Sequence, residues 1–286
     1  MCVAQLEPWL DGFAFLEGPR WHAGRLWFSD MHAQRVYAAS EDGAVEAVAR
    51  VPECPSGLGW LPDGRLLVVS MEDRKLLRRE PDGELVTHAD LSAVATYHCN
   101  DLVVDARGRA YVGNFGFDLH TQQKPRAAKL ALVQPDGAVS VAASALEFPN
   151  GAVITPDGHT LIVAESFGRR LSAFEIDAAS GALSKRRVWA ALSDGAVPDG
   201  ICLDAEGAIW VASPMSRELV RVHEGGRVSQ RIACGERMAI ACMLGGADRR
   251  TLFALTSTSI EPGECRRTRS ARIERLRVDV PGAGLP

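Results

Sequence analysis

The sequence predicts a six-bladed β-propeller with four antiparallel strands in each blade, and three observations support this fold class. A Gly- or Asp-containing turn followed by a short β-rich run recurs six times: WHAGRLWF, LPDGRLLVV, DARGRAYVG, TPDGHTLIVA, DAEGAIWVA and GADRRTLFA. Further strand-like segments follow each run. No segment carries a convincing set of apolar residues at helical spacing. Radial repetition accommodates so many short strands because it leaves only short, protected edges.

The recurring turn fits the tip of a β-hairpin because Gly and Asp tolerate the positive φ that tight hairpin turns require. The outer strands of the blades are then supplied by RVYAAS, KLLRRE, KLALVQ, RLSAFEI, ELVRVHE and RIERLRV. Closure of the ring is expected to pair the N-terminal segment, Val3 to Leu6, with the last blade, Arg272 to Val280. A β-sandwich or two small barrels is the alternative, which the sixfold recurrence disfavours.

One domain is expected to span residues 1–286, because no linker, charge run or shift in composition divides the chain. With 47% hydrophobic and 24% charged residues, the chain can bury a large core without disulfides. The seven cysteines are odd in number and form no CxxC pair, which argues against a disulfide framework and a structural zinc site.

Charge and terminal features limit the partners and the location. A net charge of -4 with interspersed signs gives no electrostatic footprint for nucleic acid or an anionic membrane. The N-terminal segment lacks the features of a secretory signal, and no stretch has the length needed to cross a bilayer. We therefore expect a cytoplasmic protein, as a monomer or weak homo-oligomer, that acts on a small molecule.

One polar position recurs where the chain enters the innermost strand of each unit. Counting back eight residues from the turn glycine reaches this position in four units, and equivalent counts reach it in the first and sixth. Its occupants, here called the polar ring, are Glu17, Ser56, Asn100, Asn150, Asp199 and Ala241. In a propeller this position faces the central channel. Asn-Gly and Asp-Gly dipeptides are also common turn formers, but their shared register favours converging oxygen donors, which suit a hard divalent cation.

The segments around these residues resemble the gluconolactonase, regucalcin and luciferin-regenerating enzyme family. The matching segments, in order, are LEGPRWHAGRLWFSD, PSGLGWLPDGRLLV, NDLVVDARGRAYVG, FPNGAVITPDGHTLIVAES and VPDGICLDAEGAIWVA. The resemblance implies a six-bladed propeller that binds one divalent metal through a Glu, an Asn and an Asp, which fall on Glu17, Asn150 and Asp199. It places the substrate-contacting Asn of the family on Asn100. Calcium is the first expectation for the metal, with Mn²⁺, Mg²⁺, Zn²⁺ or Fe²⁺ as alternatives.

One segment departs from the family pattern. Members acting on sugar lactones carry an RxND pattern whose Arg contacts substrate hydroxyls, whereas this chain has YHCND, with His98 in place of the Arg. A His lacks the guanidinium fork that grips neighbouring hydroxyls, so the resemblance does not carry aldonolactone specificity over. Tyr97, Phe115 and Phe117 hint at a more apolar pocket. The expected substrate-binding residues are Asn100, His98 and Phe115.

The expected function is hydrolysis of a sugar-acid lactone or a related small lactone, a reaction on a carboxylic ester. The metal would polarise the carbonyl and stabilise the oxyanion, while Asn100 orients the substrate or a water molecule. Asp199, as the resemblance suggests, or His98, as a neutral imidazole, would accept the proton of the attacking water. A serine nucleophile is disfavoured because no GxSxG elbow is present.

Two other functions stay open at this point. The first is a metal-dependent hydrolase of organophosphates or other esters, and the second is a non-catalytic propeller that binds a divalent cation. The segment Gly116 to Lys129 is the best candidate for a loop that covers the channel mouth.

Overall fold

The computed structural model describes residues 5–119, 121 and 123–285, which form six four-stranded antiparallel sheets. The prediction of a six-bladed propeller with four strands per blade is confirmed. Five blades use four consecutive strands, and the sixth combines the last three strands of the chain with the first. No helix of the described residues has the length and apolar character needed to span a membrane.

The strands are numbered in chain order. Blade 1 contains β2 (Leu16–His22), β3 (Arg25–Asp30), β4 (Arg35–Ala39) and β5 (Val45–Arg50). Blade 2 contains β6 (Pro55–Trp60), β7 (Leu66–Ser70), β8 (Lys75–Arg79) and β9 (Leu85–Asp90). Blade 3 contains β10 (Cys99–Val104), β11 (Ala110–Asn114), β12 (Ala128–Val133) and β13 (Val139–Leu146). Blade 4 contains β14 (Pro149–Ile154), β15 (Thr160–Glu165), β16 (Arg170–Ile176) and β17 (Leu183–Ala191). Blade 5 contains β18 (Ile201–Leu203), β19 (Ile209–Ser213), β20 (Glu218–Val222) and β21 (Val228–Ala233). Blade 6 contains β22 (Met238–Gly245), β23 (Thr251–Ser257), β24 (Ala271–Arg277) and β1 (Glu7–Phe13).

The recurring turn joins the first and second strands of every blade. Its glycines have φ between +73° and +86° in the first five blades: Gly24, Gly64, Gly108, Gly158 and Gly207. Arg249 occupies the same place in blade 6 with φ +55°. The positive φ explains why this position is almost always Gly, since other residues adopt that conformation only at a cost.

Burial falls from the centre of the propeller outward. The inner strands β10 and β14 are buried along their whole length, whereas the outermost strand β17 is mostly exposed. Apolar side chains fill the space between neighbouring blades; one cluster joins Leu67 and Val69 of blade 2 to Leu102 and Val112 of blade 3. Each such fully buried side chain stabilises the fold by about 1.5–3 kcal/mol, so the contacts between blades hold the ring together.

The ring closes through β1, the outermost strand of blade 6, which pairs antiparallel with β24. The prediction of closure by the N-terminal segment holds, but the closing strand lies after the predicted one. Val3 lies outside the described residues, and Leu6 precedes the strand. The register places Leu10 opposite Ile273 and Phe13 opposite Ala271, so apolar pairing sets the position of the strand.

One short helix, α1 (Pro262–Thr268), interrupts the all-β pattern between β23 and β24. Helical spacing could not indicate it because seven residues make only about two turns and Cys265 is the single buried residue among them. The Cys265 thiol donates to the carbonyl oxygen of Ser259 at 3.2 Å, which ties the helix to the connection before it.

Candidate active site

The polar ring lies where the innermost strands begin. Its members Glu17, Ser56, Asn100 and Asn150 are each the second residue of the first strand of a blade, and Asp199 lies two residues before β18. A cavity of about 590 Å³ opens there, and four of the ring members line it: Glu17, Asn100, Asn150 and Asp199. The two members without an expected metal or substrate role, Ser56 and Ala241, are fully buried and do not line the cavity.

Glycines after the ring members allow the inner strands to approach one another. A Cβ atom at Gly18 would stand 2.5 Å from the carbonyl oxygen of Ser56, and one at Gly200 would stand 2.4 Å from the Cβ of Ala241. Gly200, like Gly151, lacks a positive φ, so the Asp-Gly and Asn-Gly dipeptides do not serve here as positive-φ turns. Close packing around the channel is the physical reason for these glycines.

Asn150 is oriented so that its carbonyl oxygen has no protein partner. Its Nδ2 donates to the Ser166 hydroxyl at 3.2 Å, and that hydroxyl donates to the carbonyl oxygen of Pro198 at 2.7 Å. The Asn150 Oδ1 and the Asp199 Oδ1 are both buried without a hydrogen-bond partner. Because an unsatisfied buried polar atom costs about 1–3 kcal/mol, a bound group that satisfied both oxygens would be stabilised at this site.

Positive charge and hydrogen bonds compensate the two carboxylates of the site only in part. Burial raises the pKa of Glu17 well above its usual value, and the negative charges of Asp199 and Asp101 raise it further. Burial also raises the pKa of Asp199 to about 8, against a hydrogen bond from Asn150 that lowers it. Asp199 is half-buried as a whole because it borders the cavity, but its Oδ1 is shielded from solvent. The site therefore favours a cation.

The Arg20 guanidinium, which compensates Glu17 in part, is bound mainly to other groups. Arg20 forms a buried ion pair with Asp101 at 2.5 Å, and its Nε donates to the carbonyl oxygen of Leu58 at 2.9 Å. Asp101 does not line the cavity, whereas its neighbour Asn100 does. The Asn100 Nδ2 is buried without a hydrogen-bond partner, so a donor faces the space where substrate would bind.

The remaining predicted site residues also border the cavity. His98 and Phe115 both line it, and the backbone N–H of Phe115 donates to the carbonyl oxygen of His98 at 2.9 Å. The His98 ring stacks on Tyr97 with centroids 4.1 Å apart. Phe117 does not line the cavity but packs edge-on against Phe167. The structure thus brings Glu17, His98, Asn100, Phe115, Asn150 and Asp199 to one cavity.

The donor set fits a hard divalent cation. Among the residues that the structure describes, no three His, Cys, Asp or Glu side chains converge as a metal site. The candidate set consists of two carboxylates, Glu17 and Asp199, and the amide oxygen of Asn150. Carboxylate and amide oxygens are ligands that Ca²⁺ and Mg²⁺ prefer, whereas dedicated zinc sites use mainly His and Cys.

Sequence reasoning missed a second set of cavity residues, here called the apolar ring. Each blade contributes one large apolar side chain from the connection that follows its second strand: Met31, Met71, Phe115, Phe167, Met215 and Ile260. Only Phe115 was predicted to contact the cavity. A signal exists in the first three blades, where the residue lies seven positions after the turn glycine, but the offset is nine, eight and eleven positions in blades 4, 5 and 6.

Part of the predicted covering loop also reaches the cavity. Leu119, from the segment Gly116 to Lys129, lines it, whereas His120 of the same segment lies outside the described residues. Ser166, which holds Asn150, was not predicted either, because nothing in the sequence links a serine to an asparagine of the preceding strand.

Comparisons with known proteins match nearly the whole chain. A family model described as SMP-30/Gluconolactonase/LRE-like region matches residues 15–258. The chain is 25% identical over 277 residues to pentonolactonase XacC of Haloferax volcanii, covering 94% of this chain and 92% of that protein. It is 31% identical over 165 residues to regucalcin of Danio rerio, covering 56% of this chain and about half, 54%, of that protein. It also resembles the solved structure of a gluconolactonase from Xanthomonas campestris, with a TM-score of 0.75, 25% identity and coverage of 97% and 90%.

Proposed function

Because the chain belongs to the SMP-30/gluconolactonase/LRE-like family, we propose that it is a lactonase that hydrolyses a small lactone and requires one divalent cation. The similarity to a pentonolactonase along most of both chains supports the reaction class. The observation that supports the cation requirement is the inner end of the cavity, where two carboxylates have raised pKa values and the Oδ1 atoms of Asn150 and Asp199 lack hydrogen-bond partners.

The cation would be held by Glu17, Asn150 and Asp199. When bound there, a divalent cation supplies Lewis-acid polarisation of the lactone carbonyl. Ca²⁺ fits these oxygen donors best, and Mn²⁺, Mg²⁺, Zn²⁺ or Fe²⁺ would be tested beside it.

Side chains near the lactone carbonyl would orient the substrate and activate the attacking water. The unpartnered Asn100 Nδ2 would donate a hydrogen bond to an oxygen of the substrate. Asp199 or His98, which both face the cavity, would accept the proton of the attacking water. The ring opens as the water oxygen bonds to the carbonyl carbon, the bond to the ring oxygen breaks, and that oxygen takes up a proton to become a hydroxyl.

A hydrolysis assay with metal add-back tests this proposal. Protein stripped with a chelator would be assayed with a pH indicator on a panel of lactones, with Ca²⁺, Mn²⁺, Mg²⁺, Zn²⁺ and Fe²⁺ added back separately. We expect at least one cation to restore turnover and Asp199→Asn to reduce kcat/KM by about 10³-fold or more. Asp194→Asn is the matched control, because Asp194 lies in the same connection with its side chain 69% exposed.

Two results would contradict the proposal: turnover that persists in the stripped protein, or an Asp199→Asn variant as active as wild type. Cation binding without turnover of any lactone would instead support a propeller that only binds cations. His98→Gln in the same assay separates the two proton acceptors. If His98 is the acceptor, kcat falls by about 10²-fold with little change in KM.

A further inference from the structure

The cavity mouth gathers apolar side chains that a soluble surface would not otherwise expose together. Eight large hydrophobic side chains of the described chain are exposed, and four of them line this one cavity: Leu119 (37%), Phe167 (46%), Met215 (72%) and Ile260 (46%). They come from the connections of four different blades. A concentration of exposed apolar surface at one cavity indicates that an apolar ligand covers it.

An aromatic wall links this mouth to the polar ring. The rings of Phe115 and Phe148 stack with centroids 4.5 Å apart, and Phe148 lies 5.2 Å from Phe167. Phe148 is two residues before Asn150 in the chain, so the wall starts beside a candidate metal ligand and ends at the exposed Phe167. A ligand bound at Asn150 would therefore extend along phenyl rings.

Two residues that line the cavity, one of them in the aromatic wall, have a strained backbone conformation. Phe148 has φ +64° although it precedes Pro149, and Cys54 has φ +61° before Pro55 at the equivalent place in blade 2. A left-handed conformation is unusual for a bulky residue, and the residue before a proline is normally extended. Both side chains line the cavity. Backbone strain of this kind is kept mainly at ligand sites.

Polar side chains are a minority of those that line the cavity. Outside the polar ring, the polar lining consists of His32, Glu72, His98, Ser166, Arg169 and Arg266. Ser166 is already engaged between Asn150 and Pro198, and Glu72 accepts from the Cys54 thiol at 3.2 Å. Hydroxyls placed against Phe and Met side chains would lose water without gaining partners, which is unfavourable.

From these observations we infer that the substrate is a lactone whose ring carries an apolar alkyl or aryl substituent. This inference rests on the proposed lactonase function. The lactone carbonyl lies at the polar ring, and the substituent extends along the wall from Phe148 to Phe167 into the apolar ring. A cavity of about 590 Å³ is of the size that holds such a molecule.

The first test compares lactones that share a six-membered ring. The cation-loaded enzyme would be assayed on δ-valerolactone, δ-hexalactone, δ-nonalactone and glucono-δ-lactone, with each kcat/KM divided by the rate constant of uncatalysed hydrolysis. We expect an increase of about fourfold for each added methylene, mainly through KM, and at least a tenfold preference for δ-nonalactone over glucono-δ-lactone. A preference for glucono-δ-lactone would overturn the inference and leave the lactonase function standing.

Variants of the apolar ring test whether these residues cause the preference for an alkyl-substituted lactone. Phe167→Ser and Met215→Ser change exposed side chains and so open no cavity in the core. Each should lower the ratio of kcat/KM for δ-nonalactone to kcat/KM for δ-valerolactone by about tenfold. Val188→Ser is the control, because Val188 is 58% exposed on β17 and does not line the cavity. Equal losses on both lactones, or no loss on either, would contradict the inference.

A binding measurement keeps the inference testable if no lactone is hydrolysed. The lactams 6-butylpiperidin-2-one and glucono-δ-lactam resist hydrolysis and present the same two kinds of substituent. In calorimetric titrations of the cation-loaded protein, we expect the butyl lactam to bind at least tenfold more tightly. Tighter binding of the hydroxylated lactam, or binding of neither, would overturn the inference whether or not lactones turn over.

Discussion

Four members of the polar ring and all six members of the apolar ring line one cavity, yet the two rings are built differently. Polar-ring residues such as Glu17 and Asn150 lie in or next to innermost strands, buried and fixed by close packing at the following glycine. Apolar-ring residues lie on connections between strands, and three of them, Phe167, Met215 and Ile260, are exposed. The difference fits our proposal, in which the strands carry the chemistry and the connections select the substrate.

The largest effect is expected from a variant of the polar ring, which should nearly abolish turnover without changing recognition of the apolar substituent. Glu17→Gln removes one of the two carboxylates that would hold the cation, so we expect kcat/KM for any lactone to fall by about 10³-fold or more. The apolar ring is untouched, so the preference for 6-butylpiperidin-2-one over unsubstituted piperidin-2-one should stay within about threefold of wild type. Steady-state kinetics measure the loss of turnover, and calorimetry measures the preference between the two lactams. A loss of that preference would show that the rings do not act separately.

The next largest effect is on the stability of the fold, at the strand end that precedes the connection carrying Phe167. Glu165, the last residue of β15, is fully buried and accepts hydrogen bonds from Arg170, Arg186 and Ser172. Burial alone would raise the pKa of Glu165, but these bonds, together with one from the Glu147 backbone, lower it to about 2. Unlike Glu17, this buried carboxylate is satisfied by the protein itself.

Because the folded-state pKa of Glu165 lies below its unfolded value of 4.5, its ionisation stabilises the fold above about pH 4.5. That contribution, about 3 kcal/mol, is lost as the pH falls from about 4.5 to about 2. Glu165→Gln should reduce the free energy of unfolding at pH 7 by about 3 kcal/mol, with a weaker acid dependence in denaturant titrations. Glu224→Gln, which breaks the exposed pair with Arg187, should change it by less than about 1 kcal/mol. Equal effects of the two variants would contradict this account.

The smallest effect tests how the polar ring is oriented. Ser166→Ala removes the hydroxyl that holds the Asn150 amide, and we expect cation affinity to fall by about tenfold, as measured by calorimetry. Ser257→Ala is the matched control, because Ser257 is a buried serine whose hydroxyl donates to the Ser259 carbonyl oxygen at 2.7 Å and whose strand partner is Met238 rather than a candidate ligand. An unchanged affinity in Ser166→Ala would show that Asn150 needs no such support.

The contrast between the rings also explains what could be predicted from the sequence. The polar ring could be located by counting because the first hairpin of each blade has nearly constant length. Its members from Glu17 to Asp199 therefore lie seven or eight residues before the turn glycine. The apolar ring could not be located in the same way, since Phe167, Met215 and Ile260 lie at three different distances from the turn residue of their blade. A residue can be located by counting along the sequence only where its distance from a recognisable turn is constant.

Other features depended on contacts between residues far apart in the chain. Ser166 bonds to Asn150 and to Pro198, residues 16 and 32 positions away, and no local pattern indicates such a pairing. The closing strand β1 takes its register from apolar partners in β24 at the other end of the chain. The resemblance to a known family, and the propeller that it implied, were both confirmed.

The most direct test of the central claim, that the polar ring holds one divalent cation, is a calorimetric titration of Ca²⁺ into chelator-treated protein. We expect one site per chain that is lost in Asp199→Asn and in Asn150→Ala and is unchanged in Asp194→Asn. Absence of binding by Ca²⁺, Mg²⁺, Mn²⁺, Zn²⁺ and Fe²⁺, or binding that survives Asp199→Asn, would contradict the claim.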